Sequence, residues 1–172
     1  MARGLAQRGI ADGARLAIEG GSAGGWTVLN ALTRTDVFAA GVSRYGVADL
    51  VALVTDTHDF EARYLDGLVG PYPEAADVYR ERAPINHVDG LSVPVLLLQG
   101  LDDKVVPPSQ SRLFRDALAA RRIPHALIEY PGEGHGFRGR DAQVSSREAA
   151  LSFYGQVLGF TPPGVPVLPL DR

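Results

Sequence analysis

The sequence predicts an α/β fold in which helices flank a parallel β-sheet. Residues 93–100 form a continuous aliphatic run, which is typical of a strand buried on both faces of a parallel sheet. Shorter strand-like runs cover residues 15–20, 37–43 and 125–130, and helical segments separate them. Strands that alternate with helices in this way are joined by right-handed crossovers, so their carboxyl ends meet at one edge of the sheet.

Helices and turns account for most of the chain before the aliphatic run. Residues 2–9 are predicted to be the last turns of a helix, and Asp12-Gly13 is a turn that leads into the first strand. Residues 27–32, which follow that strand, are predicted to be helical. Three short helices are expected further on, around residues 49–54, 60–68 and 74–82.

The second half of the chain continues the alternation. Residues 108–120 predict an amphipathic helix, and residues 142–158 predict a closing helix after a glycine-rich loop. The proline-rich tail, residues 161–172, is expected to run extended over the surface. We therefore predict one α/β domain over residues 1–160 and a separate tail.

Composition excludes several classes of protein. The 172 residues suffice for one domain with a sizeable core, and a net charge of −3 without a basic stripe argues against nucleic-acid binding. The absence of cysteine excludes disulfides and thiolate metal sites. The apolar runs are far shorter than the roughly 18 residues that span a bilayer, and the first residues lack the apolar region of a signal peptide. We therefore expect no membrane or nucleic-acid partner and a cytoplasmic location.

A glycine-rich turn after the first strand carries the main chemical signal. Gly20-x-Ser22-x-Gly24 fits the nucleophile elbow, in which a strained turn between a strand and a helix exposes a serine hydroxyl. Glycine is expected at both flanking positions because a Cβ there would crowd the strand and the helix. The Ala23 N–H, at the start of the helix, is expected to donate to an oxyanion. The alternative is a glycine-rich turn with an incidental serine.

A serine nucleophile needs a base and an acid that orients the base. Asp102 and Asp103 directly follow the aliphatic strand, and His135 lies between glycines in the loop after the last strand. Parallel sheets place ligands at these strand ends. The order serine, acid, histidine is that of α/β-hydrolases, which predicts that Ser22 and His135 meet one of the two aspartates.

Three segments together resemble the catalytic domain of prolyl oligopeptidase-family serine peptidases, in its acylaminoacyl-peptidase and dipeptidyl-aminopeptidase-like branch. The segments are residues 20–26, 99–108 and 132–137. The resemblance covers about residues 1–160 and implies an α/β-hydrolase fold. The acid of that family follows a Gly-x-x-Asp pattern, which matches Gly100 and Asp103, so the resemblance implies Ser22 as nucleophile, Asp103 as acid and His135 as base.

The resemblance also implies a substrate pocket and makes a cofactor unnecessary. The region after the second strand lines that pocket in the family, so Tyr45, Phe60 and Tyr64 are candidate lining residues, the alternative being ordinary core aromatics. The acidic and histidine residues within 56–59 lack a recognised metal-ligand spacing, so we expect no metal.

One departure from the family concerns the N-terminal side. The family's catalytic domain has several strands before the elbow, a loop there supplies a second oxyanion donor, and a β-propeller commonly precedes them. Here the elbow begins at residue 20. We therefore expect an N-terminally truncated α/β-hydrolase fold whose first strand, residues 15–20, is an open edge available for self-association.

The expected function is that of a serine hydrolase that cleaves short peptides or acylated amino acids by acyl transfer. Two alternatives stay open from the sequence. One is a carboxylesterase of the same fold, because the same three side chains cleave esters. The other is a non-catalytic truncated remnant that needs its missing N-terminal strands. The sequence leaves undecided which residue is preferred at the cleaved bond.

Overall fold

The computed structural model describes residues 1–56 and 65–172 of the chain, and it contains the predicted parallel sheet. The sheet has four strands in the order β1-β2-β3-β4, and all three neighbouring pairs are parallel. The strands are β1 (Ala17–Gly21), β2 (Ala40–Arg44), β3 (Val95–Gly100) and β4 (His125–Tyr130). The predicted α/β class is therefore confirmed.

Helices connect and cover these strands. The α-helices with defined bounds are α1 (Ala2–Gln7), α2 (Ala23–Arg34), α3 (Leu50–Asp56), α4 (Ala76–Arg82), α5 (Pro108–Ala120) and α6 (Arg140–Leu158). Short 3₁₀ helices occupy Gly13–Arg15 and Pro84–Gly90. Of the helix predicted over residues 60–68, residues 65–68 are helical, and residues 60–64 lie outside the described part of the chain.

The first two strands begin later than the sequence predicted. Residues 13–15 form a 3₁₀ turn, which Asp12 caps by accepting a hydrogen bond from the Ala14 amide at 2.9 Å. Because of this turn, β1 begins only at Ala17. Ala17 pairs with Ala40, so β2 begins at Ala40.

The aliphatic run of β3 is buried on both faces, which explains its composition. Leu96 and Leu98 pack on the side that α6 covers, in a cluster that includes Phe153. Val95 and Leu97 pack on the opposite side, in a cluster drawn from α2 and α5. The sheet is therefore the middle layer of three, and its carboxyl ends carry the loops that follow each strand.

The two edges of the sheet differ. At β4, the proline-rich tail forms an antiparallel bridge in which the backbones of His125 and Asp171 exchange hydrogen bonds of 2.9 and 2.7 Å. The tail is also anchored where the Leu168 amide donates to Ser152 Oγ at 2.8 Å. At the other edge, β1 pairs with β2 alone among the described strands, as predicted. None of the helices within the described residues is both long and apolar enough to cross a membrane.

Two glycines of the elbow are required for packing, but only one of them, Gly20, is a glycine of the Gly-x-Ser-x-Gly motif. A Cβ on Gly20 would lie 2.5 Å from the Gly24 carbonyl oxygen, which confirms the steric argument there. A Cβ on Gly24 would meet no atom of the described residues within 4 Å, so the same steric argument is wrong at that position. The close approach is instead made by Gly25, whose Cβ would lie 2.7 Å from Gly46 Cα. Gly25 thus allows α2 to touch the chain that follows β2.

These two adjacent glycines form a matched pair for a stability test. Gly25→Ala is expected to lower the free energy of unfolding by about 1–3 kcal/mol, because the added methyl group overlaps backbone. Gly24→Ala is expected to raise it by about 0.5–1 kcal/mol, because alanine loses less backbone entropy in a helix. Urea unfolding of both variants measures the difference, and equal changes would contradict the contact between α2 and the end of β2.

Candidate active site

Ser22 lies at the sharp turn between β1 and α2. Its backbone has φ 57° and ψ −122°, an unfavourable conformation for a residue with a side chain. The turn is held on both sides, since the Ser22 amide donates to the Arg44 carbonyl and its carbonyl accepts from the Trp26 amide, both at 3.0 Å. This is the geometry of a nucleophile elbow.

Three of the predicted side chains form a continuous hydrogen-bonded chain. His135 Nε2 lies 2.9 Å from Ser22 Oγ, and His135 Nδ1 lies 2.8 Å from Asp103 Oδ2. The Asp103 side chain is fully buried, whereas Asp102 is exposed. The structure therefore brings Asp103, and not its neighbour, to the histidine.

The buried carboxylate has further partners in its own loop. Asp103 Oδ1 accepts hydrogen bonds from the amides of Val105 and Val106, each at 2.9 Å. These bonds offset the cost of burying a charged group and fix the carboxylate's orientation. An arrangement of this kind lets an imidazole take up a hydroxyl proton while the carboxylate stabilises the resulting imidazolium.

A buried amide braces the loop that carries Asp103. Gln99, at the end of β3, donates from its side-chain nitrogen to the carbonyls of Gly100 and Val106, at 3.0 and 3.1 Å. Ser111 Oγ donates to the Gln99 side-chain oxygen at 2.8 Å. Sequence reasoning missed this brace, although a glutamine that ends an aliphatic strand was a visible signal for it.

The loop that carries His135 packs directly on the loop of Asp103. The Asp102 amide donates to the Glu133 carbonyl at 2.9 Å, and a Cβ on Gly100 would lie 2.4 Å from that same oxygen. The Glu133 carboxylate in turn accepts from the amides of Arg138 and Gly139, at 2.6 and 2.9 Å. Asp103 and His135 are thus held by two loops in backbone contact.

An apolar cavity of about 330 Å³ opens beside Ser22. Among the described residues, the lining side chains other than that of Ser22 are apolar in character. They are Ala23, Trp26, Val47, Leu50, Leu53, Leu65, Leu68, Val69, Val105 and Val106. None of these residues is among those that the sequence predicted for the pocket, although the apolar spacing 47, 50, 53 around α3 is a signal for a buried helix face.

Of the three predicted pocket residues, the structure describes Tyr45 alone, and Tyr45 is not part of this lining. Phe60 and Tyr64 lie outside the described residues. Tyr45 lies on the other side of the site, where its ring centroid is 4.7 Å from that of His135. Ala23 is the first residue of α2, where an amide has no acceptor within the helix, and its role as an oxyanion donor stays a prediction.

A cluster of polar side chains near Tyr45 links β1, β2 and α6. The Glu19 carboxylate, on β1, is paired with the Arg44 guanidinium and accepts a hydrogen bond of 3.0 Å from the Tyr154 hydroxyl. Burial raises the pKa of the Tyr154 phenol above its ordinary value, and the charge of Glu19 raises it further. The phenol therefore stays protonated as a donor and links α6 to β1.

No group of three histidine or acidic side chains within residues 1–56 and 65–172 is arranged to hold a metal ion. Most of the tetrapeptide 56–59 lies outside those residues, so the expectation about it stays a prediction.

The comparisons with known proteins agree on one family. The model of the prolyl oligopeptidase family, Peptidase_S9, matches residues 1–161. The chain is 31% identical over 159 residues to dipeptidyl aminopeptidase BIII of Pseudoxanthomonas mexicana, a match that covers 89% of this chain and 23% of that protein. It is 30% identical over 137 residues to the acylamino-acid-releasing enzyme of Arabidopsis thaliana, covering 75% of this chain and 18% of that protein.

A solved structure extends the agreement to three dimensions. A puromycin-hydrolyzing peptidase of Mycobacterium tuberculosis superposes with a TM-score of 0.95 at 54% identity, over 99% of this chain and 26% of that one. The chain thus spans about a quarter of the length of the relatives that it matches. Its sheet and flanking helices are part of an α/β-hydrolase fold, as the resemblance implied. The chain belongs to the prolyl oligopeptidase family.

Proposed function

We propose that this chain carries the catalytic centre of a serine peptidase that cleaves short peptides or acylated amino acids. The observation that supports the proposal most directly is the hydrogen-bonded chain from Asp103 through His135 to Ser22. In this proposal Ser22 is the nucleophile, His135 is the general base and then the general acid, and Asp103 holds the imidazole tautomer.

The reaction proceeds in two acyl transfers. Ser22 Oγ attacks the substrate carbonyl carbon while its proton passes to His135 Nε2, and a tetrahedral oxyanion forms. The carbon–nitrogen bond then breaks, the leaving amine takes the proton from His135, and an ester to Ser22 remains. Water then attacks that ester and gives up a proton to His135. The bond from the acyl carbon to Ser22 Oγ breaks, Oγ takes the proton back from His135, and the acid is released.

The oxyanion of each step needs hydrogen-bond donors. Within the described residues we assign one donor, the Ala23 amide at the N-terminus of α2, where the helix dipole also favours negative charge. A donor of this kind typically contributes about 10²–10³ in turnover. The family resemblance assigns a second donor to a loop upstream of the elbow.

The apolar cavity is suited to bind an apolar substrate side chain on the acyl side of the cleaved bond. Its lining offers hydrophobic contact and no charged partner among the described side chains, so a charged side chain would be buried there at a cost. The M. tuberculosis protein is named for hydrolysing puromycin. We therefore propose amides of aromatic and large aliphatic amino acids as the preferred substrates of this site.

We also propose that the 172-residue chain self-associates through the open edge of β1. The Leu16 carbonyl and the Ser22 amide both face β2. Because amides alternate along a strand, those of Ala17 and Glu19 face outward. An edge of this kind is a template for pairing with a strand of a second copy.

The proposed nucleophile is tested by labelling the folded 172-residue chain with a fluorophosphonate probe. Labelling is expected in the wild type and is expected to disappear in Ser22→Ala. Asp103→Asn is expected to slow it by about 10⁴, because the imidazole is then held in the wrong tautomer. Asp102→Asn is the matched control and should label normally, since its carboxylate is exposed. A folded chain that does not label would contradict the proposal and favour a non-catalytic part that needs further segments.

The cavity is tested with a series of aminoacyl amides and esters. The kcat/KM for phenylalanine and leucine amides is expected to exceed that for aspartate by at least about 10²-fold, because none of the described lining side chains pairs with a charge. Leu53→Phe narrows the cavity and should shift preference toward alanine by about 10-fold or more, whereas Leu113→Phe on the exposed face of α5 should not. Cleavage of esters alone would favour the carboxylesterase alternative.

The edge is tested by light scattering after size exclusion. The wild-type chain is expected to show a mass that increases with concentration. Ala17→Pro removes an outward amide at the first position of the strand, where proline is tolerated, and should shift the chain toward monomer. Ala17→Ser keeps the amide and is the control. A monomer at every concentration would contradict pairing through β1.

A further inference from the structure

Tyr45 contacts the ring of His135, the proposed base, whereas the two hydrogen bonds of His135 are made by its ring nitrogens. Those bonds lie in the plane of the imidazole and fix its two nitrogens, but they resist tilting about the line between them only weakly. The Tyr45 ring packs against the imidazole with the centroids 4.7 Å apart and the planes at 59°. The His135 side chain keeps 24% exposure, so solvent reaches the part of the ring that Tyr45 does not cover.

The backbone holds Tyr45 in an unusual conformation to make this contact. Its φ of +37° lies in the left-handed region, which costs a residue with a large side chain roughly 1–2 kcal/mol. The turn is locked by both neighbouring strands, since the Tyr45 amide donates to the Leu98 carbonyl at 2.7 Å and the Arg44 carbonyl accepts from the Ser22 amide. The same peptide unit therefore anchors the tyrosine and the serine elbow.

The space for the ring is provided by a glycine next to the nucleophile. A Cβ on Gly21 would lie 2.9 Å from Tyr45 Cε2 and 3.0 Å from its hydroxyl oxygen. On its other side the Tyr45 ring meets Phe137 edge-on, with the centroids 5.1 Å apart. Phe137 itself has a φ of +36°, so this ring contact joins two residues with a strained backbone. Backbone strain of this kind persists where the surrounding structure enforces it.

We propose that Tyr45 is a positioning residue whose ring braces one face of the His135 imidazole, keeping Nε2 aligned on Ser22 Oγ and Nδ1 on Asp103. The inference rests on the proposed function for its kinetic consequence, but the geometric claim stands apart from turnover. The hydroxyl of Tyr45 has no role in it, because the contact is made by the ring.

The test compares Tyr45→Leu with Tyr45→Phe in the 172-residue chain. Tyr45→Leu is expected to slow fluorophosphonate labelling of Ser22 by about 10²-fold, the usual cost of a small misplacement of a reacting group. On an amide substrate it should lower kcat and leave KM unchanged. Tyr45→Phe keeps the ring and should label close to the wild-type rate. Phe38→Leu is the control. Phe38 precedes the first residue of β2, at the end of the strand away from Tyr45, so the loss of its aromatic ring should leave labelling normal.

A spectroscopic readout separates this inference from the catalytic proposal. The Nδ1 proton shared by His135 and Asp103 is expected as a downfield proton NMR resonance, identified by its loss in His135→Gln. It should persist in Tyr45→Phe and broaden or vanish in Tyr45→Leu, whether or not the chain labels. If Tyr45→Leu does not fold, Tyr45→Gly replaces it, because glycine accepts the positive φ.

Two results would overturn the inference. A folded Tyr45→Leu or Tyr45→Gly variant with the wild-type labelling rate and an unchanged downfield resonance would show that the ring does not brace the imidazole. A Tyr45→Phe variant as impaired as Tyr45→Leu would assign the effect to the hydroxyl instead.

Discussion

The arrangement of the site depends on close contact between backbone segments at the carboxyl end of the sheet. Gly20 lies against Gly24, Gly25 against Gly46, and Gly100 against the carbonyl of Glu133. Each contact leaves no room for a Cβ, so each requires glycine. Because these segments touch, the serine, acid and histidine loops cannot move independently, and the side chains that they carry keep hydrogen-bonding distance.

The buried carboxylate of Asp103 is the second constraint. A charged group without solvent is costly unless its lone pairs are satisfied, and here two amides and an imidazole satisfy them. The loop can present those amides because the Gln99 side chain holds both of its ends. Gln99 thus fixes where the Asp103 carboxylate lies, and in our proposal the aromatic ring of Tyr45 does the same for the His135 imidazole.

Much of this fold follows from local sequence signals. The helix over residues 108–120 and the strand over residues 125–130 have the bounds that their periodicity predicted, because each is decided by its own apolar pattern. The starts of β1 and β2 were misplaced, because a strand begins where a partner is available. The argument about Gly24 failed for a related reason: the motif marks a tight turn, but only the packing of α2 on β2 shows which glycine faces backbone.

The candidate site divides in the same way. The sequence by itself determined the serine elbow, the two candidate aspartates and the histidine between glycines, because each is a local pattern at the end of a predicted strand. Only the tertiary structure decided which surfaces meet: that Asp102 is exposed, that apolar side chains of α2, α3 and the loop of Asp103 line a cavity beside Ser22, and that Tyr45 lies against His135. Such contacts join residues far apart in the chain, and their geometry depends on register, crossover and helix packing, which no local pattern encodes.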